Sequence, residues 1–392
     1  MYVEDENVII TSSQFTSFYD FVDGDLLHIN TIEYKNYLDS RLYDNNLYLV
    51  AKNAIDSEMP EDENVYYTVG SRVRQKYDLY KINLDSNEIK KTANLNAGNV
   101  VLYMSNEHIY LATLVHYVGE SGFYSITVTS IFDKELQPVG AIGLEGNVLN
   151  QFSMDEYNGY FRVVTSDLSK ANCEINALSI YSLETLQKVG SINKNLGEDK
   201  QTVRSVAFDK DTCHVVTYEV TDPLYEIDLS DVTNPKIVSI YKAPGYSSYL
   251  QKFEIEDKEY LFGLGYTDDS YIRKISIYEE KDDGTTQVGE DFLMSSVYVN
   301  NKDIDIFLDY ANYDSFSHKA LLVYNDGNDL YLGMKLETNK YYIFKIDVDS
   351  NEVVSIYKTF EFKNSFNDSR CYMIDGKLYI TDYHRVVIKD FK

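Results

Sequence analysis

Apolar residues along the chain occur in short alternating runs, about four to eight residues long, bounded by Asp, Asn, Gly and Ser. Alternation of this kind is typical of β-strands, because successive side chains of a strand point to opposite faces of its sheet. The periodicity of amphipathic helices is nearly absent. The pattern therefore predicts an all-β protein made of short strands joined by tight turns.

One sequence unit recurs along the chain, and it consists of an Asp- or Asn-rich turn followed by an apolar, aromatic-rich strand. Asp, Asn and Gly are suited to such turns because they tolerate the backbone conformations that hairpins require. The copies lie at residues 44–50, 106–112, 158–164, 211–217, 257–263, 328–333 and 375–381. Each copy is interpreted as the first hairpin of a repeated sheet.

Most copies are followed by a third strand, an acidic turn and a fourth strand, most clearly at residues 78–89, 177–190, 224–238 and 342–356. The copies are spaced by roughly 55 residues on average, slightly above the ~40–50 of the common propeller repeats. A four-stranded sheet cannot bury both of its faces alone, so the sheets are expected to stack radially. We therefore predict a β-propeller of seven blades, each with four antiparallel strands.

In this interpretation, residues 1–392 form a single domain, with blades at 37–99, 100–147, 148–200, 201–245, 246–300, 301–362 and 363–392. The last blade contains only three predicted strands. The N-terminal segment, residues 1–36, is expected to supply the missing strand from residues 8–12 or 26–34 and so to close the ring. Closure would also remove two exposed sheet edges, which otherwise promote aggregation.

The charge balance restricts the possible partners, because 36 basic residues face 63 acidic ones and the net charge is −27. Nucleic acids and anionic membrane surfaces require a dense cationic surface, so neither is expected as a partner. No apolar run approaches the ~20 residues of a membrane-spanning helix. Mutual repulsion between copies predicts a monomer. Affinity for cations or for a basic partner stays open as an alternative meaning of the charge.

The first ten residues, MYVEDENVII, have neither the basic region nor the apolar region of a signal peptide. Two locations are therefore left open. The protein is cytoplasmic, or it is extracellular or attached to the cell surface and its natural start lies upstream.

Searches for catalytic and metal motifs give no candidate. Cys173, Cys213 and Cys371 are too few and too scattered for a disulfide framework or a zinc site. Residues 347–351 match the first ligands of a calcium loop, but Glu352 and Lys358 occupy positions that need Gly and an acid. We therefore expect no metal and no cofactor. His108 and His214 stand beside predicted hairpin turns and are interpreted as surface residues.

Residues 150–163, NQFSMDEYNGYFRV, resemble the signature of a bacterial and archaeal family of secreted β-propellers that is distantly related to WD repeats. Segments 203–208, 217–236 and 244–249 resemble the family in the same order, and the resemblance covers about residues 38–265. It implies a propeller that is exported or surface-anchored, and it supplies no catalytic residues. Residues 155–159 invite interpretation as an acidic active-site loop, but the repeat predicts that they form the first hairpin turn of the third blade.

The remaining place for a functional site is the central channel, which the first strand of each blade would line. Polar side chains stand at or just before those strands at Arg41, Gln151, Arg204, Tyr246, His318 and Arg370. Together they would form a cationic rim suited to an anionic or glycan ligand. The alternative is that they hydrogen-bond to neighbouring blades, since buried arginine is usually paired.

These observations favour a binding or scaffold module whose protein or glycan ligand lies on one face or in the channel. They do not favour an enzyme, because no catalytic motif is present. A hydrolase or lyase with its site in the channel stays open as the alternative, since opposed carboxylates cannot be recognised in a one-dimensional sequence.

Overall fold

The computed structural model describes the chain except for residues 1, 5–6, 23–24, 54–64, 68–74, 97, 120–121, 168–174, 199, 219–221, 244, 269–271, 282–283, 295–320, 328, 338–339, 363–369, 375, 382–385 and 392. Two compact units are present: residues 1–200 with 232–234, and residues 201–231 with 235–392. The described residues form eight sheets in chain order, which we number 1 to 8.

The first unit contains sheets 1 to 4. Sheet 1 consists of β1 (Tyr2–Glu4), β2 (Asn7–Thr11), β3 (Phe15–Val22) and β4 (Asp25–Glu33). Sheet 2 consists of β5 (Tyr37–Tyr43), β6 (Asn46–Asn53), β7 (Val65–Tyr67), β8 (Gln75–Asn83) and β9 (Ile89–Asn96). Sheet 3 consists of β10 (Val100–Met104), β11 (His108–Gly119), β12 (Gly122–Asp133) and β13 (Pro138–Glu145). Sheet 4 consists of β14 (Met154–Tyr157), β15 (Tyr160–Ser166), β16 (Asn176–Ser182) and β17 (Lys188–Ile192), preceded by a 3-10 turn (Gln151–Ser153).

The second unit contains sheets 5 to 8. Sheet 5 consists of β18 (Thr202–Asp209), β19 (Thr212–Tyr218), β20 (Asp222–Asp228) and β21 (Lys236–Ala243). Sheet 6 consists of β22 (Tyr246–Ile255), β23 (Lys258–Tyr266), β24 (Arg273–Glu279), β25 (Thr286–Gln287) and β26 (Phe292–Leu293). Sheet 7 consists of β27 (Leu322–Asn325), β28 (Leu330–Glu337), β29 (Lys340–Ile346) and β30 (Val354–Glu361). Sheet 8 consists of β31 (Arg370–Ile374), β32 (Lys377–Thr381) and β33 (Val386–Asp390).

Antiparallel pairing between sequence neighbours generates almost every sheet, with β7 as an exception because it pairs parallel to β9. Each of the seven repeated sequence units lies at the hairpin between the first two strands of a sheet. Several of these turns place consecutive residues at positive φ, as at Asp44 and Asn45 or Asn158 and Gly159. Asn, Asp and Gly adopt that conformation most readily, which explains the recurring composition of the turns. In the part of the chain that the structure describes, no helix is long and apolar enough to cross a membrane.

The middle strands are apolar on both faces, so each sheet is covered by its neighbours within its unit. In β6, Leu47, Leu49 and Ala51 pack against sheet 1, whereas Tyr48 and Val50 pack against sheet 3. The alternation follows from the two-residue period of a strand. Equivalent clusters join sheets 3 and 4 in the first unit, and sheets 5 and 6, 6 and 7, and 7 and 8 in the second.

The expected number of seven blades is wrong, because the described residues form eight sheets. Residues 2–33 were expected to lend one strand to the last sheet, but they form four strands that pair with one another. The repeat search missed sheet 1 because its β2–β3 turn begins with a serine. The Ser12 hydroxyl accepts hydrogen bonds from the backbone N–H groups of Gln14 and Phe15, which replaces the usual Asp or Asn.

Two adjacent isoleucines of β2 test whether sheet 1 is an integral layer. Ile9 is fully buried against sheet 2, whereas Ile10 is about one-third exposed. We expect Ile9→Ala to lower the free energy of unfolding by about 2–5 kcal/mol, because it leaves a cavity in the layer. Ile10→Ala, the matched control, should change it by about 0.5 kcal/mol. Urea denaturation measures both values, and equal effects of the two substitutions would contradict the packing of sheet 1.

Candidate functional site

Four of the six residues predicted for a cationic rim can be placed with their side chains. Arg41 and Gln151 lie in the first unit, and Arg204 and Tyr246 lie in the second. Arg370 is the first residue of β31, but its side chain and the whole of His318 fall outside the described residues. The two pairs are therefore described separately, each within its own unit.

In the first unit, Arg41 and Gln151 contact each other across two sheets. Arg41 Nη2 donates a hydrogen bond of 3.3 Å to Gln151 Oε1, although 110 residues separate them. Arg41 Nη1 also pairs with Asp39 Oδ2 at 2.9 Å and donates to the Ser40 carbonyl oxygen at 2.9 Å. The charge of Arg41 is therefore balanced inside the unit, and its side chain ties β5 to the 3-10 turn before β14.

Arg41 also begins a row of side chains that lie directly opposite one another across sheet 2, namely Arg41, Tyr48, Lys81 and Lys90. Opposed like charges destabilise a sheet. Glu135, from the β12–β13 turn of sheet 3, offsets this by forming ion pairs with both Lys81 and Lys90. Its neighbour Lys134 places Nζ 4.4 Å from the centroid of the Tyr48 ring, and burial lowers the pKa of Lys134 to about 8. The side chains of this row therefore contact the β12–β13 turn of sheet 3.

In the second unit, Arg204 has a different environment because it is the extra residue of a β-bulge in β18. The pairing with β19 shifts register between Val203 and Ser205. A bulge of this kind redirects a side chain away from the regular alternation of the strand. Arg204 is consequently aimed at aromatic rings at the end of β19 and the start of β22.

Two tyrosine rings lie beside the guanidinium group of Arg204, and a third tyrosine packs against one of them. Its Cζ lies 5.6 Å from the ring centroid of Tyr218 and 5.7 Å from that of Tyr246. The rings of Tyr218 and Tyr246 are 4.5 Å apart, and those of Tyr246 and Tyr266 are 5.5 Å apart. We call Arg204 with Tyr218, Tyr246 and Tyr266 the Arg204 site.

Arg204 makes no hydrogen bond or ion pair with any residue that the structure describes. Its Nε is buried without an acceptor, although the side chain as a whole is partly exposed. A buried donor without a partner costs about 1–3 kcal/mol, whereas a cation–π contact contributes about 0.5–1 kcal/mol at exposed sites. The aromatic contacts therefore do not fully satisfy this cation.

Two glycines allow the start of β22 to lie close to β23 and thereby position Tyr246. A Cβ atom at Gly265 would lie 1.7 Å from the carbonyl oxygen of Tyr246. A Cβ atom at Gly245, where φ is +82°, would lie 2.1 Å from the carbonyl oxygen of Tyr266. Both glycines are therefore required by close backbone approach at the Arg204 site.

A second polar cluster lies between sheets 3 and 4 and centres on the carboxylate of Glu156. Three side chains donate hydrogen bonds to it: Ser105 Oγ at 2.5 Å, Tyr110 Oη at 2.7 Å and His108 Nδ1 at 2.9 Å. The hydrogen bond to Glu156 raises the pKa of His108. Burial raises the pKa of Glu156, but the three donors outweigh it and hold that pKa below its usual value. We call these four residues the Glu156 cluster.

The Glu156 cluster forms part of the wall of a cavity of about 540 Å³ between the first hairpin turns of sheets 3 and 4. Residues 155–159 belong to the first hairpin of their sheet, but only Asn158 and Gly159 form its turn, because residues 155–157 pair with β15 as part of β14. Asp155 is paired with Arg162, and its carboxylate is therefore not a free acid. The turn was predicted for the third blade but belongs to sheet 4, because sheet 1 precedes the seven blades that the repeat predicted.

The family comparison agrees with this succession of sheets. The family model described as "Beta propeller domain" matches residues 4–392. The chain belongs to the beta propeller domain family. The eight sheets are therefore the blades of a propeller, built as antiparallel and mostly four-stranded sheets.

Two curated relatives are similar to parts of this propeller. A protein of Archaeoglobus fulgidus is 37% identical over 151 residues, which is 38% of this chain and 22% of that protein. A protein of Methanocaldococcus jannaschii is 26% identical over 339 residues, which is 63% of this chain and 53% of that protein. Both are described as uncharacterised. The chain spans about a fifth and about half of the lengths of these relatives.

Two solved structures that are similar in fold to this chain have low sequence identity to it. Kluyveromyces lactis Hsv2p is 13% identical with a TM-score of 0.47, and the match covers 92% of this chain and 96% of that one. A putative 6-phosphogluconolactonase of Bacteroides fragilis is 11% identical with a TM-score of 0.45, covering 92% of this chain and 97% of that one.

Blades 5 and 6 (sheets 5 and 6) are joined by another buried polar cluster. His214 is fully buried, with Nε2 3.6 Å from Glu280 Oε1 and 3.4 Å from Thr285 Oγ1. Lys252 Nζ pairs with Glu280 Oε2 at 2.7 Å, and Thr285 Oγ1 donates to Glu226 Oε2 at 2.7 Å. Among the described residues, no group of three or more His, Cys, Asp or Glu side chains is arranged to hold a metal ion.

The interpretation of His214 as a surface residue is wrong because it is fully buried, whereas His108 is partly exposed. Each histidine contacts a glutamate of the following blade, Glu156 for His108 and Glu280 for His214. The separations of 48 and 66 residues are close to one repeat, so a histidine and a carboxylate one repeat later were a signal available in the sequence. The composition of the adjacent turns does not reveal these contacts, because they are made with the next blade.

The cluster of His214 and Glu280 predicts a pH dependence of stability. Burial raises the pKa of Glu280 to about 7, although Lys252 opposes the shift. The folded state therefore binds this proton more tightly than the unfolded chain, and the resulting stability is lost as pH rises through about 7. Burial lowers the pKa of His214 to about 3, so its contribution is lost as pH falls from about 6.5 towards 3.

We expect Glu280 to reduce stability as pH rises from about 4.5 to about 7, so over that range stability should fall more, or rise less, in the wild-type protein than in Glu280→Gln, which removes the titrating carboxylate. Glu259→Gln is the matched control, because Glu259 lies near the same lysine but is half exposed. Urea unfolding at several pH values measures both slopes. An unchanged slope in Glu280→Gln would contradict the assignment.

Proposed function

We propose that this propeller is a non-enzymatic binding module and that the Arg204 site anchors a glycan bearing carboxylate groups. The observation that supports this proposal is that Arg204, a partly exposed cation, has no acceptor among the described residues. Its Nε is covered, so a ligand would reach the accessible part of the side chain beyond that atom. Binding of a carboxylate there would give the accessible part of the guanidinium group an acceptor.

The chemistry of the site fits an acidic sugar. A guanidinium group binds carboxylates through charge-assisted hydrogen bonds in a planar geometry. Tyrosine rings provide an apolar face beside a polar hydroxyl, which suits a ligand with both apolar and hydroxyl-bearing faces. Tyr218, Tyr246 and Tyr266 give the Arg204 site this combination within one blade pair.

The net charge of −27 restricts the ligand further. A densely sulfated chain would be repelled by the field of the whole protein, so we propose a glycan with sparse carboxylates. Contact at a partly buried arginine is screened less by salt than the repulsion between exposed charges. Binding is therefore expected to persist or strengthen as salt increases.

We propose an extracellular or cell-surface location for the module and a monomeric state. The location is supported by the resemblance of residues 150–163 to secreted propellers, and the monomer by repulsion between acidic copies. A protein carrying the same acidic group is the second candidate partner. No observation among the described residues favours the hydrolase or lyase alternative.

The substitution Arg204→Gln tests the proposal on an array of immobilised uronate-containing and neutral oligosaccharides. We expect wild-type protein to bind the uronate-containing oligosaccharides and Arg204→Gln to bind them at least about tenfold more weakly, since a hydrogen bond to a charged group is worth about 1.5–3 kcal/mol. Arg204→Lys should fall in between, because it keeps the charge but loses the planar fork.

Lys258→Gln is the matched control, because it removes one positive charge from the exposed far end of the same β22–β23 hairpin. It should leave binding unchanged. Binding that is equal in Arg204→Gln and wild type, or absent for every uronate-containing oligosaccharide in the wild type, would contradict the proposal.

A further inference from the structure

We propose that the cavity between the first hairpin turns of blades 3 and 4 is a second binding site, for a neutral sugar unit. It lies wholly within the first unit and shares no residue with the Arg204 site. The inference is therefore independent of the proposed function. Its volume of about 540 Å³ falls within the range of roughly 300–1,000 Å³ that is typical of small-molecule sites.

The cavity lining includes several polar residues. Asn106, Glu107, Tyr157 and Asn158 have side chains that hydrogen-bond to no described residue, and Asn106, Glu107 and Asn158 are exposed. Another is His108, whose Nδ1 is held by Glu156. Met104 and Leu183 add apolar surface to the same wall. A pocket with a few convergent polar groups on a partly apolar wall is the usual form of a ligand site.

The mixture of donors and acceptors indicates hydroxyl groups as the ligand chemistry. Amides and a phenol both donate and accept, and a hydroxyl group does the same. An anionic ligand is disfavoured because Glu107 would repel it. A neutral polyhydroxylated ring offers hydroxyl groups that both donate to and accept from such side chains without placing like charges together.

The Glu156 cluster makes this wall rigid. The Glu156 carboxylate accepts three side-chain hydrogen bonds, and its backbone N–H donates to Tyr103 Oη at 3.1 Å. The rings of Tyr110 and Phe161 stack across the same seam with centroids 4.7 Å apart. His108 is therefore fixed before a ligand arrives, which reduces the entropy lost on binding. These contacts account for Ser105, Tyr110 and Glu156, but not for the side chains of Asn106, Glu107, Tyr157 and Asn158 in the cavity lining.

Simple hydration of an open cleft is the competing explanation. Ligand-observed NMR with maltotriose, cellotriose and mannotriose as probes separates the two. We expect saturation transfer to at least one of the three and a roughly fivefold or greater loss of affinity in Asn106→Ala and in Tyr157→Phe. The resonance of the His108 ring should move on binding, whereas that of the exposed His116 should not.

Asn147→Ala and Tyr43→Phe are matched controls, since both side chains are exposed in the same unit and lie outside the cavity lining. They should leave binding unchanged, as should Arg204→Gln. Unchanged melting temperatures would show that the cavity variants are folded. No transfer to any probe, or equal binding by Asn106→Ala, Tyr157→Phe and wild type, would overturn the proposal and leave hydration as the explanation.

Discussion

The structure depends on the apolar character of its middle strands on both faces. In β6, alternate residues serve two different clusters, and neither face has the polar alternation of a sheet that faces water. A blade of this kind is not stable alone, because both of its apolar faces would stay in water. Each blade is therefore held by the next one within its unit, and the hydrophobic effect acts across the seams between blades.

Such packing places the ends of the hairpins close together, so polar groups near the turns must find partners on the next blade. The Glu156 cluster between blades 3 and 4 and the cluster of His214 and Glu280 between blades 5 and 6 are two solutions. Their energetics differ. Glu156 is fully supplied with donors, whereas Glu280 Oε1 and His214 Nδ1 are buried without hydrogen-bond partners among the described residues. Buried polar groups left without partners are expensive, so the second seam is the more sensitive to pH.

Strands, hairpin turns and the propeller class could be predicted from the sequence, because they depend on local periodicity and turn chemistry. Blade 1 could not, since Ser12 performs the role that Asp or Asn performs in the other turns. The burial of His214 could not be predicted from turn composition, because it depends on a glutamate 66 residues away. The sequence also does not show which residues of the predicted rim have partners. Arg41 and Gln151, for example, lie 110 residues apart and form a hydrogen bond only in the folded unit.

Arg41 and Arg204 illustrate this limit. Both stand in the first strand of a blade, and the sequence gives no reason to separate them. In three described first strands, a register shift near the strand start marks a bulge residue, which is Leu38 in β5, Arg204 in β18 and Ser248 in β22. Arg204 therefore corresponds to Leu38, which packs into an apolar cluster, and not to Arg41. A charged side chain occupies a bulge position that the repeat elsewhere fills with Leu or Ser. The proposed anchor thus arises where one blade departs from the repeat, so substitution of a neighbouring first-strand residue such as Arg41 is not equivalent to substitution of Arg204.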